Sequence, residues 1–187
     1  MNTALILIDI QNDYFVGGKM ELVEPDRAAD NAKLMLDRFR SEGFPIIHIQ
    51  HIATGPSATF FLPDTPGADI HEKVLPLPSE KSIVKHFPNS FRETELLEYL
   101  KGNKIDNLVI CGMMTHMCID ATTRAAKDVG FNCLLIGDAC ATRDLEINNE
   151  TVKAKDVQNS FLAALNPFYA TIMTTESYLI KITNKLI

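Results

Sequence analysis

The feature that most constrains the fold is a repeated alternation of short, nearly continuous apolar runs with segments of helical periodicity. Ala4 to Ile8 is apolar at every position, the pattern of a strand covered on both faces. After Pro25 and Asp26, the residues Ala28, Ala32, Met35, Leu36 and Phe39 recur at helical spacing, and Gly43 offers a stop. Strands follow at Ile46 to Gln50, Ser82 to Val84, Leu108 to Cys111, Cys133 to Ile136 and Ala170 to Met173. Helices are predicted over Thr94 to Leu100, Met117 to Asp128 and Thr151 to Leu165, with a C-terminal helix carrying Tyr178, Leu179 and Ile182 on one side. Alternation of this kind implies a mostly parallel sheet between two helical layers. The fold expectation is therefore one three-layer α/β/α domain over residues 1–187.

Composition narrows the function classes. Apolar residues make up 46% of the chain and charged residues 22%, a globular balance. The net charge of -6, without a long run of one sign, argues against nucleic acid or a membrane surface as partner. No apolar stretch approaches the ~18 residues of a membrane span, and the first apolar run ends at Asp9 without a basic leader. A cytoplasmic location is the expectation. Cys111, Cys118, Cys133 and Cys140 form no CxxC pair and no zinc-type cluster with histidine, so free thiols are expected.

Ligands of such sheets sit at the carboxyl ends of the strands. Asp9 ends the first strand and Lys85 ends the Ser82 to Val84 run. Taken singly, Asp9 equally suits a turn cap, and Lys85 a side chain that snorkels to solvent. Cys118 lies in the first turn of the helix after the Leu108 to Cys111 strand. Unpaired N–H groups there are expected to lower a thiol pKa and to hold a developing oxyanion. Together the three form a coherent set: a nucleophile, a base for its proton, and a cation between two anions. Between Ile52 and Ser79 the chain is proline-rich and irregular, a length of loop that is usually functional.

Three segments carry a family resemblance: Leu7-Ile8-Asp9-Ile10-Gln11-Asn12-Asp13, Val84-Lys85-His86-Phe87-Pro88-Asn89-Ser90-Phe91, and the long block Cys111 to Ala126, which contains Gly112-Met113-Met114-Thr115-His116-Met117-Cys118. Gly137 to Thr142 and Ser160 to Leu165 add to it. From about residue 4 to about residue 176 the chain resembles the isochorismatase-like cysteine hydrolases, which include nicotinamidases and N-carbamoylsarcosine amidase. The resemblance implies Asp9 as general base, Lys85 as the cationic member and Cys118 as nucleophile. It also implies a cis peptide between Met113 and Met114, and an oxyanion hole from the Met114 and Cys118 N–H groups. A homodimer or higher homo-oligomer is expected on the same ground, with the apolar Ile180, Ile182, Leu186 and Ile187 as one candidate contact.

Two departures shape the functional expectation. The ether-cleaving isochorismatases often lack the thiol, so Cys118 favours cleavage of an amide-type C–N bond in a small molecule. Gln50-His51-Ile52-Ala53 stands where nicotinamidases carry an Asp-x-His metal motif, which argues against a metal and against nicotinamide. No cofactor is expected. Gln11, Phe15, His51, Phe91 and His116 are the expected substrate contacts. A vinyl-ether hydrolase and a non-catalytic, redox or binding module of the same fold stand as alternatives.

Overall fold

The computed structural model describes residues 2–183. In chain order its elements are β1 (Asn2–Ile8), α1 (Pro25–Glu42), β2 (Ile46–His51), β3 (Lys81–Lys85), α2 (Leu96–Gly102), β4 (Ile105–Met113), α3 (Asp120–Asp128), β5 (Asn132–Ala141), β6 (Leu145–Ile147), β7 (Glu150–Val152), α4 (Ala154–Leu165), β8 (Thr171–Met173) and α5 (Thr175–Thr183). Six strands form one sheet in the order β3-β2-β1-β4-β5-β8, every pair parallel. The expected three-layer architecture is the one observed. Strands β4 and β5 run longer than expected, and α2 starts two residues later.

Period-two alternation along β1 divides the core. Leu5 and Leu7 face one layer, with Ala28, Ala32, Met35, Leu36 and Phe39 of α1 and Tyr178 of α5. Ala4, Ile6 and Ile8 face the other, with Leu96 and Leu100 of α2, Ala126 of α3 and Leu165 of α4. Helix α1 is closed by Gly43 at φ +69, the expected left-handed stop. The chain runs outward from β1 through β2 to β3, then crosses back to place β4 on the other side of β1. Strand order thus reverses between β1 and β4, where an open sheet leaves a crevice at its carboxyl edge.

One expected helix start is corrected. Thr151 belongs to an antiparallel hairpin of β6 and β7, and α4 begins at Ala154. The hairpin turns through Asn148 and Asn149, both with positive φ (+53 and +62), the two-residue geometry that asparagine tolerates best. Asp144 then accepts a hydrogen bond from the Ala154 N–H at 2.7 Å, which anchors the start of α4. Of the apolar C-terminal residues expected at a contact, Ile180 is exposed; the side chain of Ile182, and Leu186 and Ile187, lie outside the described residues.

A partly buried ionic knot closes the opposite end of β2. Glu80 accepts from Arg40 Nε at 2.7 Å and Nη2 at 2.9 Å, from the Leu77 N–H at 2.8 Å, and meets His48 Nε2 at 2.8 Å. Burial works to raise the Glu80 carboxyl pKa, but these donors overrule it and hold it at about 2. A folded-state pKa below the usual carboxylate value gives stability that is present above pH ~4.5 and lost as pH falls toward 2. Glu80→Gln is therefore expected to lower stability at pH 7 by about 2 kcal/mol, the scale of charged hydrogen bonds. In denaturant titrations the gap to wild type should close between pH 4.5 and 2; a gap independent of pH would exclude the ionised carboxylate as its source.

Candidate active site

Three strand ends converge at the β1/β4 reversal. Asp9 follows β1 with a left-handed backbone (φ +50), which turns its carboxylate back over the sheet edge; its N–H remains tied to Ile49 O at 3.0 Å. Lys85 is the last residue of β3. Cys118 sits in a π-helical turn, Thr115–Ile119, that leads from β4 into α3, and the Met113–Met114 peptide bond that precedes it is cis. All three side chains are buried, Asp9 and Lys85 at 0% exposure and Cys118 at 4%.

Lys85 Nζ is the hub. It pairs with Asp9 Oδ2 at 2.7 Å and donates to Cys118 Sγ at 3.2 Å, to Phe87 O at 3.1 Å and to His51 Nδ1 at 3.0 Å. A buried ammonium would ordinarily lose its proton. Here burial does act in that direction, but Asp9, and after it the neighbouring Cys118, prevail and raise the Lys85 pKa. Asp9 Oδ1 is buried with no hydrogen-bond partner among the described residues. An Asp9 carboxylate oxygen lies within 4.8 Å of the Cys118 sulfur.

The expected low-pKa thiol is corrected. Burial, and then the negative charge of Asp9, push the Cys118 thiol up; Lys85 opposes them without prevailing. Position at a helix start is outweighed by desolvation, since the site has closed around the sulfur. The site thus sets a thiol that is pushed up against Lys85 Nζ, which also pairs with Asp9. Cys111, Cys133 and Cys140 are also buried, with thiols pushed up, the latter two to about 11 and about 12. Cys118 differs from them in its neighbours, not in its solvation.

Ligand atoms of Asp9, His51 and Cys118 all lie within 4.8 Å of one another. The Lys85 ammonium contacts an atom of each of these three residues. His48 does not join them. A spacing of three along a strand puts His48 and His51 on opposite faces, and His48 is bound to Glu80.

The expected substrate contacts divide. Gln11 is fully buried and committed to the backbone: Oε1 accepts from the His51 N–H at 2.7 Å, and Nε2 donates to His51 O at 2.9 Å and Ala68 O at 2.7 Å. It is a clamp between the end of β1, β2 and the long loop. Gln11→Glu would set a carboxylate against two carbonyls and is expected to destabilise by about 3 kcal/mol. A urea midpoint equal to wild type would count against the clamp. Phe15 stacks on His71 at 3.7 Å and Phe91 stacks on Phe131 at 6.2 Å, so both rings are occupied in packing. His51 binds Lys85. His116 is half-buried, its Nδ1 2.6 Å from Thr142 Oγ1 and its ring edge-on to Phe161.

Sequence reasoning missed Tyr14 and Arg143. Tyr14 is buried against Phe61 (4.6 Å between centroids) and Phe60. Burial, and then the neighbouring Cys118 and Asp9, raise its phenol pKa. The Arg143 guanidinium acts on both Tyr14 and His116 from the end of β5. The signal for Tyr14 was its place in the loop directly after Asp9; nothing in the local sequence marked Arg143. A cleft of about 570 Å³ between α1 and α4, lined by Arg27, Asp138 and Gln158 among others, contains none of the three strand-end residues.

The isochorismatase domain model matches residues 3–177. The chain belongs to the isochorismatase family. Among relatives of this family, the uncharacterized isochorismatase family protein YddQ of Bacillus subtilis is 52% identical over 96% of this chain and 99% of its own length. The nicotinamidase of Escherichia coli is 28% identical over 73% of this chain and 82% of its own. An isochorismatase structure from Pseudomonas putida superposes with a TM-score of 0.88 at 35% identity, over 94% of this chain and 89% of the other. Isochorismatase-family membership makes the chain a hydrolase by kinship, with an amidase among its relatives.

Proposed function

We propose that this isochorismatase-family protein is a cysteine hydrolase that opens an amide-type C–N bond of a small molecule by acyl transfer through Cys118. The observation that carries the reading is the single ammonium of Lys85 in contact with both Asp9 (2.7 Å) and the Cys118 sulfur (3.2 Å) in a buried site.

A protonated thiol needs a base at hand, and Asp9 is that base. As sulfur attacks the carbonyl carbon, the S–H proton passes to Asp9, and the negative charge moves from the carboxylate toward the sulfur and then to the carbonyl oxygen. Lys85 neighbours both ends of that transfer, so its charge stays compensated throughout. The Met114 and Cys118 N–H groups are the proposed donors to the oxyanion. Asp9 returns its proton to the departing nitrogen as the C–N bond breaks, leaving a thioester. It then takes a proton from water as water attacks the thioester, and that proton returns to sulfur as the acid leaves. Kinship with a nicotinamidase, an amide-cleaving protein by name, supports the C–N class.

The test is to incubate the protein with a panel of amides, ureas and carbamoyl compounds, quench in acid and weigh the intact protein. An acyl adduct mapped to Cys118, with release of ammonia or amine, is expected. Turnover of these compounds that persists in Cys118→Ala without an adduct would overturn acyl transfer through the thiol.

A further inference from the structure

Lys85 has three N–H groups and four acceptors within 3.2 Å: Asp9 Oδ2, His51 Nδ1, Phe87 O and Cys118 Sγ. Two of these acceptors change charge in the acyl transfer proposed above. The other two, His51 and the Phe87 carbonyl, do not. We propose that His51 is a positioning residue: with Phe87 O it fixes two N–H groups of Lys85, so that the third turns between the Asp9 carboxylate and the Cys118 sulfur as the proton moves the other way.

Three observations support this. To accept from an ammonium, Nδ1 must be unprotonated, which makes His51 the neutral Nε2–H tautomer. Burial, and then the Lys85 charge, hold the imidazole in that form, with a pKa pushed down to about 4; Asp9 works against them and His86 with them. The His51 backbone is held at both its N–H and its carbonyl by buried Gln11, so the ring is placed from behind. A neutral acceptor also adds no second anion beside the ammonium; a carboxylate at this position would compete with Cys118 for it.

The inference rests on the acyl-transfer reading, and its test separates the two. The first probe is p-nitrophenyl acetate, with the p-nitrophenolate burst reporting acylation. Displacing a reacting group by about 1 Å can cost 10²-fold, so His51→Leu is expected to slow the burst by about that factor. His51→Asn sets an amide oxygen where Nδ1 stood and should recover most of the rate. The second readout is ¹⁵N NMR of labelled histidine, in which His51 should remain the Nε2–H tautomer and titrate below pH 5, with its midpoint rising in Lys85→Met. A burst at the wild-type rate in His51→Leu, an Asn variant as slow as the Leu variant, or a His51 midpoint near 6.5 overturns the positioning role. A wild-type protein with no burst, or a burst that survives Cys118→Ala, overturns the acyl-transfer reading instead.

Discussion

Asp9→Asn is expected to lower turnover of the amide substrate by about 10³-fold, the middle of the range for loss of a general base, while making Cys118 easier to ionise. The two effects point in opposite directions, and that is their diagnostic value. The Asp9 charge is one of the forces that push the Cys118 thiol up, and Lys85 is the force that opposes it. With the carboxylate gone and the ammonium still 3.2 Å from sulfur, the pH midpoint for alkylation of Cys118 by iodoacetamide should fall by roughly one to three units. Lys85→Met should move it upward. Cys111, Cys133 and Cys140 serve as internal controls, resolved by peptide mass spectrometry. Asparagine is the clean substitution because it tolerates the left-handed backbone at position 9 (φ +50). A variant that loses activity with an unchanged or raised Cys118 midpoint would show that Asp9 does not face the thiol electrostatically.

Gly112→Ala is expected to be the most damaging single methyl group in the protein. Gly112 pairs with Ile8 where β1 and β4 meet, at φ +133. A Cβ there would lie 2.0 Å from Ile8 O and 2.7 Å from Ile8 N, both backbone atoms with no freedom to withdraw. Loss of about 4 kcal/mol or more is expected, a size reached only by steric or cavity defects of this kind. The two strands would have to part at the point that sets Asp9 against Cys118, so any soluble fraction should also be inactive. Denaturant melts and the p-nitrophenolate burst check both halves. A stable, active alanine variant would mean that the strand ends are not held in this register.

The secondary structure was legible where apolar period and length agreed. Strand β1 and helix α1 are found where the periodicity of Ala4 to Ile8 and of Ala28 to Phe39 places them. The β6–β7 hairpin was not found, because its strands are three residues each and largely exposed, so no apolar alternation marks them. Its legible signal is the Asn148-Asn149 pair, a turn signature that Thr151 read as a helix start obscures. Aromatic residues were harder still. Phe15, Tyr14, Phe60, Phe61 and Phe91 look alike in sequence; only packing decides that Tyr14 neighbours Cys118 and Asp9 while Phe15 lies on His71 and Phe91 on Phe131.

Sequence by itself determined the layered parallel sheet and which acid, cation and thiol stand at its strand ends. Those properties are local: an apolar run sets a strand, and the polar residue that ends it lies at the sheet edge. Only the tertiary structure decided what each group does there. Gln11, expected at the substrate, binds backbone, because folding left two carbonyls and one N–H at that edge in need of partners. His51, also expected at the substrate, binds the ammonium, because β2 and β3 pair in a register that puts His51 beside Lys85. The upward push on the Cys118 thiol runs against the expectation from its helix start, because desolvation depends on what closes over the sulfur, and no window of local sequence contains that information.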